Sequence, residues 1–227
     1  MRTAGVHSKF GIPLFELAEA RELVARAGAH VVGLHAHTGS GILEADTWQN
    51  VARVLATAAA DFPRLRVLDL GGGLGVPEKR DGRSLDLDAL GQSLEEIRRA
   101  WPHYQLWLEP GRYLIAEAGV LVATVTQTKG KGEVQYVGVS TGMNSLIRPA
   151  LYGAYHEIAN LSRWGDHATE LVSVVGPNCE TGDRLGTDRW LPACREGDVL
   201  AIANAGAYGY VMSSRYNLRE PAREIAL

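Results

Sequence analysis

The 227 residues are 46% hydrophobic and 22% charged, with a formal net charge of −3. This describes a globular chain large enough for one big or two small domains, with no sign of a basic nucleic-acid surface. No apolar run approaches the roughly 18 residues that a membrane-spanning helix needs, and Met1-Arg2-Thr3-Ala4 begins neither a secretory signal nor a lipidation motif, so a cytoplasmic location is expected. Cys179 and Cys194 lack disulfide or metal-ligand spacing; both thiols are expected to be reduced and no metal site is expected.

Residues 15–29 read as an amphipathic helix with Phe15, Leu17, Ala18, Leu23, Val24 and Ala27 on its apolar face and Gly28 as its stop. The run His30-Val31-Val32-Gly33-Leu34-His35 reads as a strand buried on both faces, ending in His37-Thr38-Gly39-Ser40-Gly41. A second helix, 46–60, is expected to be capped by Asp46 and to bury Trp48, Val51, Val54 and Leu55. A second strand, 66–70, runs into Gly71-Gly72-Gly73-Leu74-Gly75; a polar connection, a helix over 87–100 and a strand over 105–109 follow. Each strand is followed by polar or Gly-rich residues, which predicts a parallel α/β arrangement with a site at the carboxyl ends of the strands. A full (β/α)8 barrel needs about 250 residues, so this region, 1–118, reads as an incomplete barrel.

From Gly119 onward, β-type runs at 120–126, 133–140, 169–175 and 198–202 are punctuated by Gly and Pro. Residues 119–227 therefore read as a mainly antiparallel β domain, with one short helix over 152–161.

Leu106-Trp107-Leu108-Glu109-Pro110-Gly111-Arg112 brings an apolar strand to a turn that carries a carboxylate and a guanidinium. Pro110 cannot continue a central strand, and Gly111 lets the main chain approach a ligand closely. Glu109 is suited to holding a proton on a heteroaromatic nitrogen, or equally to an ion pair with Arg112. The run Gly71–Gly73 offers clustered backbone N–H groups to a phosphate, as do Gly39 and Ser40 with a hydroxyl; tight strand–helix packing is the plainer reading of either loop. His37 stands where a ring can lie over a flat cofactor or serve as a core histidine, and a metal pair with His35 lacks a third ligand. Arg148 and Tyr152, four residues apart, suit one carboxylate. Cys179 and Glu180 lie in a glycine-bounded loop, where a protonated thiol can act as an acid or be buried and inert. Tyr208 stands between glycines in Gly206-Ala207-Tyr208-Gly209.

In this order the pieces resemble the fold-type III, pyridoxal-phosphate-dependent amino-acid decarboxylases. The matching motifs are Ser8-Lys9-Phe10-Gly11, His35-Ala36-His37-Thr38-Gly39-Ser40, Gly71–Gly75, Glu109–Arg112, Arg148-Pro149-Ala150-Leu151-Tyr152, Cys179-Glu180-Thr181-Gly182-Asp183, Gly206–Gly209 and Tyr216-Asn217. The resemblance implies that Glu109 keeps the cofactor's pyridine nitrogen protonated and that His37 stacks on its ring. It implies that Ser40, Gly72, Gly73, Pro110, Gly111, Arg112 and Tyr208 line the cofactor and its phosphate, and that Arg112, Arg148, Tyr152, Glu180 and Tyr208 bind substrate. Cys179 would return a proton to the α-carbon across the interface of a homodimer. Arg148 with Tyr152 suits a distal carboxylate and Glu180 a distal ammonium, so an amino acid charged at both ends is favoured over the distal cations of ornithine and arginine. The alternatives are a relative acting on those substrates or on carboxynorspermidine, and a non-catalytic relative that keeps the loops for binding.

The family's Schiff-base lysine, in a Tyr-x-x-Lys-Ala-type motif, has no counterpart. Lys9 falls in a different motif, and Lys79, Lys129 and Lys131 read as solvated loop residues. The chain is thus expected to correspond to the carboxyl-terminal part of such an enzyme, as a fragment or as part of a longer, kinase-fused polypeptide. Alone it is expected to be poorly soluble, because missing strands leave open sheet edges, and inactive.

Overall fold

The apolar runs that precede the three Gly- or Pro-containing loops pair into one parallel sheet, as their spacing predicts. The computed structural model describes residues 8–79 and 81–227; the tetrapeptide Met1-Arg2-Thr3-Ala4 lies outside them. By its contacts the chain forms two compact units, one running up to Val76 with Arg83–Tyr113, the other comprising Pro77–Gly82 with Leu114–Leu227.

In the first unit β1 (Gly33–His35), β2 (Val67–Asp69) and β3 (Gln105–Trp107) lie in the order β1-β2-β3, all parallel. The helices are α1 (Leu17–Arg26), α2 (Thr47–Ala59) and α3 (Leu87–Ala100), and the single turn α4 (Gly111–Ile115) begins in this unit and runs past its last residue, Tyr113. Leu68 of the central strand and Leu70 just after it are sealed against Trp48, Val51 and Leu55 of α2 and Leu90 and Ile97 of α3. Burial of this kind is worth about 2 kcal/mol per leucine. The α3 boundaries follow local chemistry: Asp86 accepts the Ala89 N–H at 2.9 Å, and Arg98 and Arg99 occupy the last turn.

Several expectations for this unit are corrected. β1 is not buried on both faces: Gly33 and His35 are exposed and Val32 is 56% exposed, because β1 is an edge strand covered by α2 on one side only. The first helix starts two residues later than expected, after a 3-10 turn at Leu14–Glu16, and ends before Gly28 (φ +68°). It buries no residue, and Phe15 and Leu23 stand open. Asp46 does precede α2, but its own helical backbone keeps its side chain from capping, and Val54 is turned outward.

The second unit is a six-stranded sheet built from β4 (Leu121–Lys131), β5 (Val134–Val139), β6 (Ile158–Asn160), β7 (Glu170–Val175), β8 (Arg184–Leu191) and β9 (Val199–Ile202). Its order is β6-β9-β4-β5-β7-β8, and only the β5–β7 pair is parallel. Val125, Val137, Val139, Val174, Leu185, Leu200 and Ile202 form the core.

The helix expected over 152–161 is absent. Instead α5 spans Arg148–Tyr152 and ends at Gly153, whose left-handed backbone (φ +64°) donates its N–H to the Pro149 carbonyl. β-branched Ile158 then opens a strand opposite Ile202. β8, unrecognised in the sequence, hides its pattern behind register shifts against β7 and a left-handed Asp188. Lys129 and Lys131 are exposed but belong to the long strand β4 rather than to a loop. No helix among the described residues is long and apolar enough to cross a membrane.

Candidate functional site

Parallel pairing sets His35 level with Asp69 and Asp69 level with Trp107, so the three following loops begin side by side. Backbone hydrogen bonds lace them together: Ile42 N–H to the Gly73 carbonyl at 2.9 Å, Gly75 N–H to Ile42 at 2.8 Å, and Glu109 N–H to Gly71 at 3.0 Å. Gly71 and Gly73 have φ of +68° and +88°. A Cβ on Gly72 would overlap the Glu109 carbonyl, and one on Gly73 the Gly39 carbonyl. These glycines are required by the close approach of the neighbouring loops rather than by packing of a strand on a helix.

Around this cradle stand the polar side chains. The Gly72 N–H donates to His37 Nδ1 at 3.3 Å, so the half-buried ring carries its hydrogen on Nε2. Glu109 Oε2 lies 3.1 Å from His35 Nε2 and not on Arg112, which corrects the alternative ion pair. His35, Asp69 and Glu109 present ligand-type atoms within 4.8 Å of one another, so the ligand-type neighbours of His35 are two carboxylates rather than His37. Arg112 reaches toward Gly41, and its buried Nε has no hydrogen-bond partner among the described residues. Ser40 and Gly111 are exposed, and Pro110 is half-buried.

The second unit gathers the other candidates. Cys179 and Glu180 sit on the loop between β7 and β8, both exposed, so Cys179 is not the buried thiol of the plainer reading. Glu180 accepts the Gly182 N–H at 3.1 Å and the Tyr216 hydroxyl at 2.8 Å. The Gly182 N–H first, then the Tyr216 hydroxyl, hold the Glu180 carboxyl below its ordinary value, and the same contact pushes the Tyr216 hydroxyl up. Arg148 is buried and Tyr152 exposed. His156 is fully buried; its Nδ1–H donates to the Ala203 carbonyl at 2.8 Å, so its Nε2 accepts from Arg148 Nη1 at 2.9 Å. Tyr208 adopts a left-handed backbone (φ +60°) and stands half-exposed on a turn where Gly206 packs on the Ile115 carbonyl and Gly209 on that of Ala205.

Sequence reasoning missed three supports of this unit: His156, Asn144 and the role of Asp183. Buried Asp183 accepts N–H bonds from Met143 at 2.6 Å and Asn178 at 2.8 Å, while Asn178 Nδ2 donates to Asn144 Oδ1 at 3.2 Å. The available signal was the pair Gly142 and Gly176, each too close to the Asp183 carboxylate to carry a Cβ.

One unit of the chain is thus a parallel sheet with a glycine cradle, an acid and a histidine at its strand ends, and the other a mixed β-sheet carrying polar loops. A family model described as pyridoxal-dependent decarboxylase, C-terminal sheet domain, matches residues 24–206, and the chain belongs to that family. Among curated proteins it is 40% identical over 227 residues to diaminopimelate decarboxylase of Archaeoglobus fulgidus, covering 96% of this chain and 54% of the relative. Among solved structures, a diaminopimelate decarboxylase superposes with a TM-score of 0.85 at 34% identity, covering 96% of this chain and 56% of that one. The Helicobacter pylori enzyme complexed with L-lysine gives 0.82 at 31% identity, covering 96% and 55%. The chain thus spans about half the length of the relatives it matches.

Proposed function

We propose that these residues form the carboxyl-terminal half of a pyridoxal-phosphate-dependent diaminopimelate decarboxylase, which releases CO2 from meso-2,6-diaminopimelate to give L-lysine. Residues 1–118 would be the second half of a TIM-type (β/α)8 barrel. Residues 119–227 would be the β domain with the substrate-binding and dimer-interface loops of a cytoplasmic homodimer. The observation that carries this reading is the convergence of Glu109, His37, Arg112 and the Gly71–Gly73 cradle at one set of strand ends.

The residues fit the cofactor. The orphaned buried Nε of Arg112 suits an anion, the cradle leaves no room for side chains, and His35 takes only Oε2 of Glu109. When bound, pyridoxal phosphate supplies the electron-withdrawing ring that lets the carboxylate leave. Glu109 would hold the proton on its ring nitrogen and His37 would lie over the ring face. Ser40, Gly72, Gly73, Pro110, Gly111, Arg112 and Tyr208 would line the ring and the phosphate. Arg148, whose guanidinium is oriented by His156, would hold the substrate's distal carboxylate with Tyr152, Arg112 and Tyr208 contributing to substrate binding. Glu180, kept anionic by its two donors, would take the distal ammonium, and Cys179 Sγ would return a proton to the α-carbon.

Equilibrium dialysis of the chain against pyridoxal phosphate tests the reading: Glu109→Gln is expected to weaken retention about tenfold or more. Equal retention by both proteins would refute it. Co-expression with a lysine-bearing amino-terminal half-barrel of a relative, followed by assay of CO2 release from meso-diaminopimelate, tests the activity.

A further inference from the structure

Glu109 is half-exposed, its side chain 54% accessible, so packing does not fix it. A glutamate in that setting samples many rotamers, whereas an acid that must meet a ring nitrogen has to be held. Among the described residues its one side-chain hydrogen-bond partner is His35 Nε2 at 3.1 Å. An ionised carboxylate offers only acceptor sites, so His35 carries its hydrogen on Nε2 and donates it.

Behind this pair stands Asp69, level with His35 across the β1–β2 ladder and fixed in turn by accepting the Gly71 N–H at 3.0 Å. Asp69 and Glu109 bring two carboxylates within 4.8 Å of each other, and the imidazole of His35 lies within the same distance of both. Like charges at that distance repel, so a donor on Glu109 is needed to hold its carboxylate in place beside Asp69.

We infer that His35 is a positioning residue: it pins Oε2 of Glu109, leaving Oε1 as the oxygen that meets the cofactor's ring nitrogen, while Asp69 anchors the far side of the group. This rests on the proposed function. It adds a residue that acts through Glu109.

The test has one arm without cofactor. Nitrogen-15 NMR of the histidines in the unmodified chain is expected to show His35 protonated at Nε2; a neutral ring protonated only at Nδ1 overturns the inference. In the second arm, equilibrium dialysis compares pyridoxal phosphate with its deaza analogue, in which a C–H replaces the ring nitrogen. His35→Phe is expected to weaken pyridoxal phosphate roughly tenfold and the analogue hardly at all, with His35→Gln, which keeps an N–H donor, restoring most of the loss. Equal weakening of both ligands, or of neither, overturns it. If Glu109→Gln weakens pyridoxal phosphate while His35→Phe does not, only the role of His35 falls. If Glu109→Gln has no effect, the cofactor reading falls with it.

Discussion

Asp183 offers the sharpest test of how the second unit is held together. Its side chain is buried, with 2% of the residue exposed, and its two oxygens accept the backbone N–H groups of Met143 and Asn178 at 2.6 and 2.8 Å. Those donors lie on different loops, so one carboxylate ties the segment preceding α5 to the segment bearing Cys179 and Glu180. Replacing it by alanine removes two charge-assisted bonds and strands two N–H groups beside a void flanked by Gly142 and Gly176. Each such bond contributes about 1.5–3 kcal/mol; because both end on one side chain, the expected loss is about 3–5 kcal/mol rather than their full sum. Asp183→Asn keeps the volume but turns an amide N–H2 toward a donor, and is expected to cost about 2 kcal/mol. Urea unfolding followed by fluorescence measures both, and hydrogen exchange at the Met143 and Asn178 amides reports the local effect. A loss under about 1 kcal/mol for Asp183→Ala, with both amides still protected, would refute the tether.

Asp198 gives a pH prediction. Burial pushes its carboxyl up, but donors from Asn160 at 3.0 Å, the Arg195 N–H at 2.9 Å and Arg163 at 2.9 Å outweigh burial and hold it below the ordinary value. Its stabilising share is therefore present above about pH 4 and lost as pH falls through the depressed native value. Asp198→Ala should cost about 3 kcal/mol at pH 7, and its deficit relative to the parent should shrink in unfolding curves taken toward pH 3. Gly72→Ala, whose Cβ meets the Glu109 carbonyl, should destabilise the first unit by about 1–3 kcal/mol and abolish cofactor retention; an unchanged melting temperature would argue against the close approach. Tyr216→Phe should raise the Glu180 titration midpoint, read by carbon-13 NMR, because one of the donors holding its carboxyl down is removed.

Much of the first unit was legible because its signals are local. The α3 boundaries follow from Asp86 and the charge gradient of the helix, and the strand–glycine–helix rhythm fixes where polar groups emerge. The openness of β1 and α1 was not, since an apolar run does not reveal whether anything packs on its second face. In the second unit β8 and β6 escaped because their pairing is non-local: bulges break the alternation of β8, and β6 has only three residues. The candidate site divides the same way. Glu109, His37 and the glycines announce themselves by type and place, whereas the engagement of Glu109 by His35 spans a sequence separation of 74 and no local pattern encodes it.

The lone parallel pairing in the second sheet has a cost and a use. Two strands running the same way cannot be joined by a tight hairpin, so after β5 the chain must travel back along the full height of the sheet before β7 can begin. That return journey is where α5, with Arg148 and Tyr152, and the buried His156 are found. A purely antiparallel rearrangement would shorten the connection and delete the ground on which they stand, so the odd strand direction is what gives this sheet room for them.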